Sequence, residues 1–127
     1  MALTHDYVDS LYFFKRVADD VNWTVMGTHP LAGVYKSKGD FLKRIFERLS
    51  KVLKGGVVLR VDHIFTSGDT AIIEMTSTST TLSGKLWPNS YCWILRFEDG
   101  MIKEVRAYLD SYLVQKLIDE YEQDNPS

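Results

Sequence analysis

Apolar positions in the first segment recur at helical spacing: Tyr7, Val8, Leu11, Phe14 and Val17 share one stripe, which predicts a short amphipathic helix over His5 to Val17. Asp19 and Asp20 interrupt the stripe. Val21 to Met26 then reads as a strand, because β-branched and aromatic residues dominate it. Gly27, His29, Pro30 and Gly33 force a loop. Ser37 with Asp40 resembles a capping box with Asp in place of Glu, and Phe41, Leu42, Ile45, Phe46, Leu49, Val52 and Leu53 follow at helical spacing. Gly55 and Gly56 end that helix, since a residue with positive φ closes a last turn without a Cβ penalty when it is glycine.

Beyond Gly56 the period becomes strand-like, and turn signals divide it. Val57 to Phe65, Thr70 to Thr81, Tyr91 to Phe97 and Met101 to Leu109 are expected strands, separated at Ser67-Gly68-Asp69, Ser83-Gly84-Lys85 and Asp99-Gly100 and sequentially antiparallel. The spacing of Tyr112, Leu113, Lys116, Leu117 and Tyr121 predicts a terminal helix from Ser111, followed by a frayed polar tail from Gln123 to Ser127. This order implies an α+β fold: a curved antiparallel sheet with helices gathered on one side and a concave space between them. Thr76 to Thr81 is polar on both faces, so that stretch lines a cavity tolerant of hydroxyls, sits on an open rim of the sheet, or belongs to a hairpin wetted on both sides around Gly84.

Composition narrows the class. A chain of 127 residues that is 45% hydrophobic and 25% charged is expected to form one globular domain, placed at residues 1–122. The lone Cys92 permits no intramolecular disulfide and no four-thiolate zinc site. A formal charge of −2 gives little attraction for nucleic acid or an anionic membrane. Met1 to Asp20 contains no apolar run bounded by basic residues and a small-residue cleavage site, and no stretch has the apolar length of a membrane span, so a cytoplasmic protein is expected. His5, His29 and His63 lack metal-ligand spacing, and no phosphate-cradling glycine loop or nucleophile elbow occurs; neither metal nor cofactor is expected. His63 and Asp62 are adjacent on an expected strand, which points them to opposite faces and forms no dyad unless the strand is irregular. His29 titrates near neutrality in its ordinary state and sits in the glycine-rich loop, which makes it the candidate proton carrier; the alternative is a ring bonded to backbone in the turn before Pro30.

The run Ala18-Asp19-Asp20-Val21-Asn22-Trp23-Thr24-Val25-Met26-Gly27-Thr28-His29-Pro30-Leu31-Ala32-Gly33-Val34-Tyr35, then Ser67-Gly68-Asp69, then Phe97 to Asp110 resembles the SnoaL-like branch of the nuclear-transport-factor-2-like, or ketosteroid isomerase-like, superfamily. The resemblance covers nearly the whole chain. It implies a conical, cystatin-like α+β fold in which a curved sheet wraps helices around a deep pocket, commonly as a homodimer joined through the sheets. The superfamily includes isomerases, polyketide cyclases of secondary metabolism, epoxide hydrolases, dehydratases and non-catalytic binding modules, so fold alone assigns no reaction. The first helix is shorter than the family's, which implies an open pocket or cover from a partner subunit.

Departures from the family constrain the chemistry. The carboxylate base of ketosteroid isomerases falls on Thr24 and the acid of their oxyanion hole on Trp93, while the epoxide-hydrolase triad falls near Met75, Ser77 and Ala107; none of these is a carboxyl residue or arginine here. By the same resemblance Met75, Ser77, Tyr91, Trp93, Val105, Ala107 and Leu109 face the pocket, while Arg106, Tyr108 and Asp110 face away. Trp23, Tyr35, Tyr91 and Trp93 offer apolar walls with a few donors, suited to a flat hydrophobic ring system, with packed core as the alternative. Asp110 either caps the final helix or turns toward the cavity mouth through a bulge. The expected function is cofactor-free acid/base isomerisation, cyclisation or dehydration of a polycyclic or polyketide-derived molecule, with His29, Tyr91 and Asp110 as catalytic candidates and Thr24 also at the pocket. The alternatives are a non-catalytic binding or dimerisation module, and an epoxide hydrolase using Asp110 or Asp62.

Overall fold

The computed structural model describes the backbone of residues 3–4, 7–8 and 10–122 and the side chains of residues 13–121. His5 and the polar tail from Gln123 lie outside these residues. The first segment differs from the expected helix: strands β1 (Leu3–Thr4) and β2 (Tyr7–Val8) precede a short helix α1 (Ser10–Lys15). Strand β3 (Val17–Val25) begins four residues before the expected one, because Val17, Ala18, Val21, Trp23 and Val25 are all buried along it. Asp19 and Asp20 remain exposed within the strand and pair with Lys38 at 3.4 Å and Lys103 at 3.2 Å. The register with the neighbouring strand shifts there, which lets two successive acidic side chains stay in water without ending the strand.

After β4 (Gly33–Tyr35) a helical segment runs through α2 (Lys38–Phe41), a π-helical turn (Leu42–Phe46) and α3 (Glu47–Ser50). The Ser37 hydroxyl accepts the Asp40 amide at 3.0 Å, and Asp40 turns its own carboxylate to Arg44 at 3.5 Å, so only the forward half of the capping box forms. The segment stops short of the expected end, since Leu53 and Lys54 form strand β5 against β8 (Thr80–Thr81).

Strands β6 (Leu59–Ser67), β7 (Thr70–Ser77), β9 (Ser90–Glu98) and β10 (Met101–Leu109) pair in sequence as antiparallel neighbours, and helix α4 (Ser111–Glu122) follows. The large sheet has the order β1-β2-β6-β7-β9-β10-β3-β4, and its β10–β3 pair is parallel. The sheet is therefore mixed: the chain leaves β3 for the helical segment and returns through hairpins, so that β10 arrives in the same direction as β3.

The all-polar stretch has a buried side. Ser77, Ser79 and Thr81 are buried while Thr76, Thr78 and Thr80 are half-buried, so the alternation of a strand persists in burial although not in polarity. The buried hydroxyls are satisfied locally: Ser77 Oγ donates to Ser79 Oγ at 2.9 Å, which accepts the Val58 amide at 2.7 Å, and Thr81 Oγ1 lies 3.0 Å from Ser83 Oγ.

Candidate functional site

The concave face of the sheet and the helical segment border a cavity of about 60 Å³. From the sheet side come Trp23, Val25, Tyr91, Trp93, Ala107 and Leu109; from the helical segment come Phe41, Ile45, Phe46 and Leu49. The π-helical turn inserts one residue per turn, and it places the successive residues Ile45 and Phe46 both on this wall. Trp23 stacks on Phe41 with ring centroids 3.9 Å apart and meets Trp93 edge-on at 5.3 Å. Leu31 and His29 of the loop after β3, together with Trp87 and Val114, complete the closure.

His29 is buried, and both ring nitrogens meet backbone: Nε2 lies 3.0 Å from the Met26 carbonyl, and Nδ1 accepts the Leu31 amide at 3.1 Å. An amide N–H can only donate, so Nδ1 carries no proton and the ring is the neutral Nε2–H tautomer. Burial pulls its pKa below the ordinary 6.5, partly opposed by the bond to Met26, which favours the charged form. Gly27 makes this arrangement possible. At φ +122° it turns the chain where any Cβ would overlap Ser111 Oγ and come within 2.8 Å of His29 Cδ2.

Tyr91 is buried, and burial alone drives its phenol pKa far above the ordinary 10. Its hydroxyl makes no hydrogen bond among the described residues. Trp23 Nε1 is a buried donor without a partner among those residues. By contrast Trp87 Nε1 donates to the Leu113 carbonyl at 3.2 Å, which ties the wall to α4.

The sequence-based candidates separate by location. Trp23, His29, Tyr91, Trp93, Ala107 and Leu109 lie in the cavity wall. Thr24, Tyr35, Met75, Ser77 and Val105 lie outside it. Thr24 follows Trp23 on a strand and so faces the other side. The Tyr35 hydroxyl donates to the Leu31 carbonyl at 2.8 Å, Ser77 bonds Ser79, and Met75 and Val105 are packed in the core. Asp110 also lies outside: its Oδ1 accepts the amides of Tyr112 at 3.0 Å and Leu113 at 3.3 Å, capping α4. Asp62 is engaged with Thr76 and Arg60 on the opposite face of the sheet. The helical wall was missed as a site because its apolar stripe reads as core; that same stripe must face the sheet and therefore border any space between them. Trp87 carried no periodic signal at all.

Among the described residues no three His, Cys, Asp or Glu side chains gather as a metal site, and no helix is long and apolar enough to cross a membrane. The arrangement can hold an apolar molecule against a neutral imidazole, a phenol and indole donors.

A family model described as a SnoaL-like domain matches residues 12–105. The dimerizing cyclase phiC of a fungal species is 31% identical over 120 residues, covering 91% of this chain and 52% of that protein. The dimerizing cyclase tstC of Talaromyces stipitatus is 31% identical over 110 residues, covering 83% of this chain and 48% of that protein. The chain thus spans about half the length of the curated relatives it matches. Among solved structures, an NTF2-like protein from Burkholderia thailandensis is similar with a TM-score of 0.73 and 25% identity, covering 87% of this chain and 85% of that one.

Proposed function

The chain belongs to the SnoaL-like domain family, and from that premise we propose that it is a cyclase-type unit. Its cavity takes a small hydrophobic, polyketide-derived molecule and guides a cofactor-free acid/base rearrangement. The observation that carries this reading is an apolar cavity bordered by both a neutral histidine and a phenol without a hydrogen bond among the described residues. The names of the fungal relatives support cyclisation over the other reactions of the superfamily.

In this reading His29 is the base. Its lowered pKa keeps the ring unprotonated at neutral pH, and a ligand that draws the loop away from the Leu31 amide frees the Nδ1 lone pair. Tyr91 donates its hydroxyl to a ligand carbonyl, and Asp110 acts from outside the wall by fixing the start of α4. Ligand pockets commonly measure about 300–1,000 Å³, so a ring system enters only when the wall yields. The π-helical turn is the element suited to give, because its wide hydrogen-bond spacing is easily converted to α-helix. A homodimer forms through the outer sheet face, where Phe65 and Tyr108 are exposed beside an Arg96–Glu104–Arg106 ion cluster.

One observation favours a second reading. Both His29 nitrogens are held by backbone and aromatic rings crowd the cavity, as in a binding module without turnover. Native mass spectrometry of protein purified from its own source, beside His29→Ala, separates the two. A retained hydrophobic molecule that wild type converts and His29→Ala holds unchanged supports the cyclase; a retained molecule that neither converts supports the module; an empty protein removes both. The same spectrum reads the oligomeric state.

A further inference from the structure

Trp87 separates two concavities. It borders the cavity and also a surface groove of about 190 Å³ between the stretch before β9 and helix α4, and no other residue lines both. The two spaces differ in charge. The residues lining the cavity include no Asp, Glu, Lys or Arg, so a carboxylate drawn inside loses its hydration with no cation to meet it. The groove carries Lys85 and Lys116, both exposed and neither paired with a carboxylate among the described residues, against the single acid Glu120. Its remaining walls are largely apolar, with Leu86 60% exposed beside Pro88 and Leu117. Size points the same way. Ligand pockets commonly measure about 300–1,000 Å³, far more than the cavity of about 60 Å³, and the groove adds space at its Trp87 side. Trp87 stands in the irregular stretch between β8 and β9, and one hydrogen bond to the Leu113 carbonyl ties its indole to α4.

We infer that the groove is an outer subsite for a carboxylate: the protein takes amphipathic carboxylates, with an apolar ring in the cavity, the chain passing Trp87 and the head group at Lys85 and Lys116. This rests on the reading of the cavity as a ligand site and adds the end of the ligand that the cavity cannot hold. Two lysines against one glutamate leave the groove a single net positive charge, which matches a monoanion. Exposed ion pairs are individually weak, so the head group contributes selectivity while burial of the ring supplies most of the affinity. A neutral ligand of the same shape loses only the contact at the lysines. An ammonium head meets two like charges.

The test titrates 4-phenylbutyrate and its neutral isostere 4-phenylbutanamide into wild type, into the double variant Lys85→Gln/Lys116→Gln and into Lys36→Gln/Lys43→Gln at pH 7. The last pair makes the same change of charge at exposed lysines that do not border the groove. In wild type the carboxylate is expected to bind about fivefold tighter than the amide. That preference should vanish in the groove variant and persist in the other. Raising the salt from about 0.05 to 0.5 M should erode it in wild type, which gives the same reading without a substitution. Intermolecular NOEs from bound 4-phenylbutyrate are expected from its ring to the methyl groups of Ala107 and Val114, and from the methylene beside the carboxylate to the side chains of Lys85 and Lys116. Equal binding of the two probes, with ring contacts to the cavity methyls, overturns the subsite and leaves the pocket reading standing. A preference that survives in the groove variant also overturns it. A preference lost there without ring contacts to Ala107 and Val114 marks a surface site unconnected to the cavity and overturns the inference as well. No binding by either probe overturns the inference and the pocket together.

Discussion

Tyr91→Phe is expected to stabilise the protein while weakening its ligand chemistry. Tyr91 pairs with Met75 of β7 and Leu109 of β10 in the centre of the sheet, and its ring packs edge-on to Trp93 at 6.5 Å. Phenylalanine preserves all of this. What it removes is a hydroxyl that makes no hydrogen bond among the described residues, on a residue 9% exposed at the cavity wall. Full burial of such a group without a partner costs roughly 1–3 kcal/mol, and water at the cavity wall repays most of it, so the variant should gain up to about 1 kcal/mol. At this chain length that corresponds to a rise in Tm of roughly 3–5 °C. Alkaline pH gives a second, independent reading. The phenol releases its proton near 10 in the unfolded chain and well above that in the folded one, so above pH 10 the unfolded state binds fewer protons. Stability then falls with rising pH by up to about 1.4 kcal/mol per unit in wild type, beyond whatever the variant loses. Urea denaturation followed by circular dichroism, in steps from pH 8 to 11.5, measures both effects. A variant that loses more than about 1 kcal/mol at pH 8, or that keeps the wild-type alkaline slope, refutes the account of Tyr91 as buried and unbonded.

Histidine NMR should show His29 as the Nε2–H tautomer with a midpoint below 6.5; because the unfolded chain then binds the proton first, stability declines as pH falls below 6.5, and His29→Asn should abolish that part of the decline. A midpoint at or above 6.5 contradicts the burial argument. Gly27→Ala should cost about 2 kcal/mol or more, since φ +122° and the overlap with Ser111 Oγ penalise the Cβ together, and Ser111→Gly should recover only the overlap when thermal melts are compared. Asn89 is fully buried and both receives the Asp110 amide at 3.0 Å and donates to its carbonyl at 3.3 Å, so Asn89→Ala should cost about 2 kcal/mol, and Asp110→Ala, which removes only the cap, about 1 kcal/mol. The reverse order in chemical denaturation counts against this joint between β9 and α4.

The later half of the chain was legible because its strands are bounded by turn signals and its apolar positions keep period two. Ser67-Gly68-Asp69 and Asp99-Gly100 fall at the observed hairpins, with Asp99 and Gly100 both at positive φ. The start of β3 was not legible. Two adjacent aspartates read as an interruption, whereas the strand carries them at a register shift with lysines from α2 and β10 in reach, contacts that only the tertiary fold brings together. The parallel β10–β3 pair was hidden for the same reason, since pairing between distant strands leaves no local pattern. Of the cavity, Tyr91, Trp93 and Ala107 came from the family resemblance, whose pocket-facing positions fall on them, whereas Thr24 was placed at the pocket beside Trp23 although neighbours on a strand face opposite sides. Trp87 could not be placed from sequence, because it sits in the irregular stretch between β8 and β9 and enters the wall through its bond to α4.

The central claim is that a hydrophobic molecule occupies the space between sheet and helical segment. Intermolecular NOEs from the bound ligand to methyl-labelled protein test it most directly, using the molecule retained in native mass spectrometry or 4-phenylbutanamide. The account predicts contacts from one ligand to the methyl groups of Ala107 on the sheet, Ile45 on the helical segment and Val114 on α4, which meet only in this cavity. Contacts confined to outer-face residues such as Ile72 and Ile94, or none to these three methyls at saturating ligand, would contradict it.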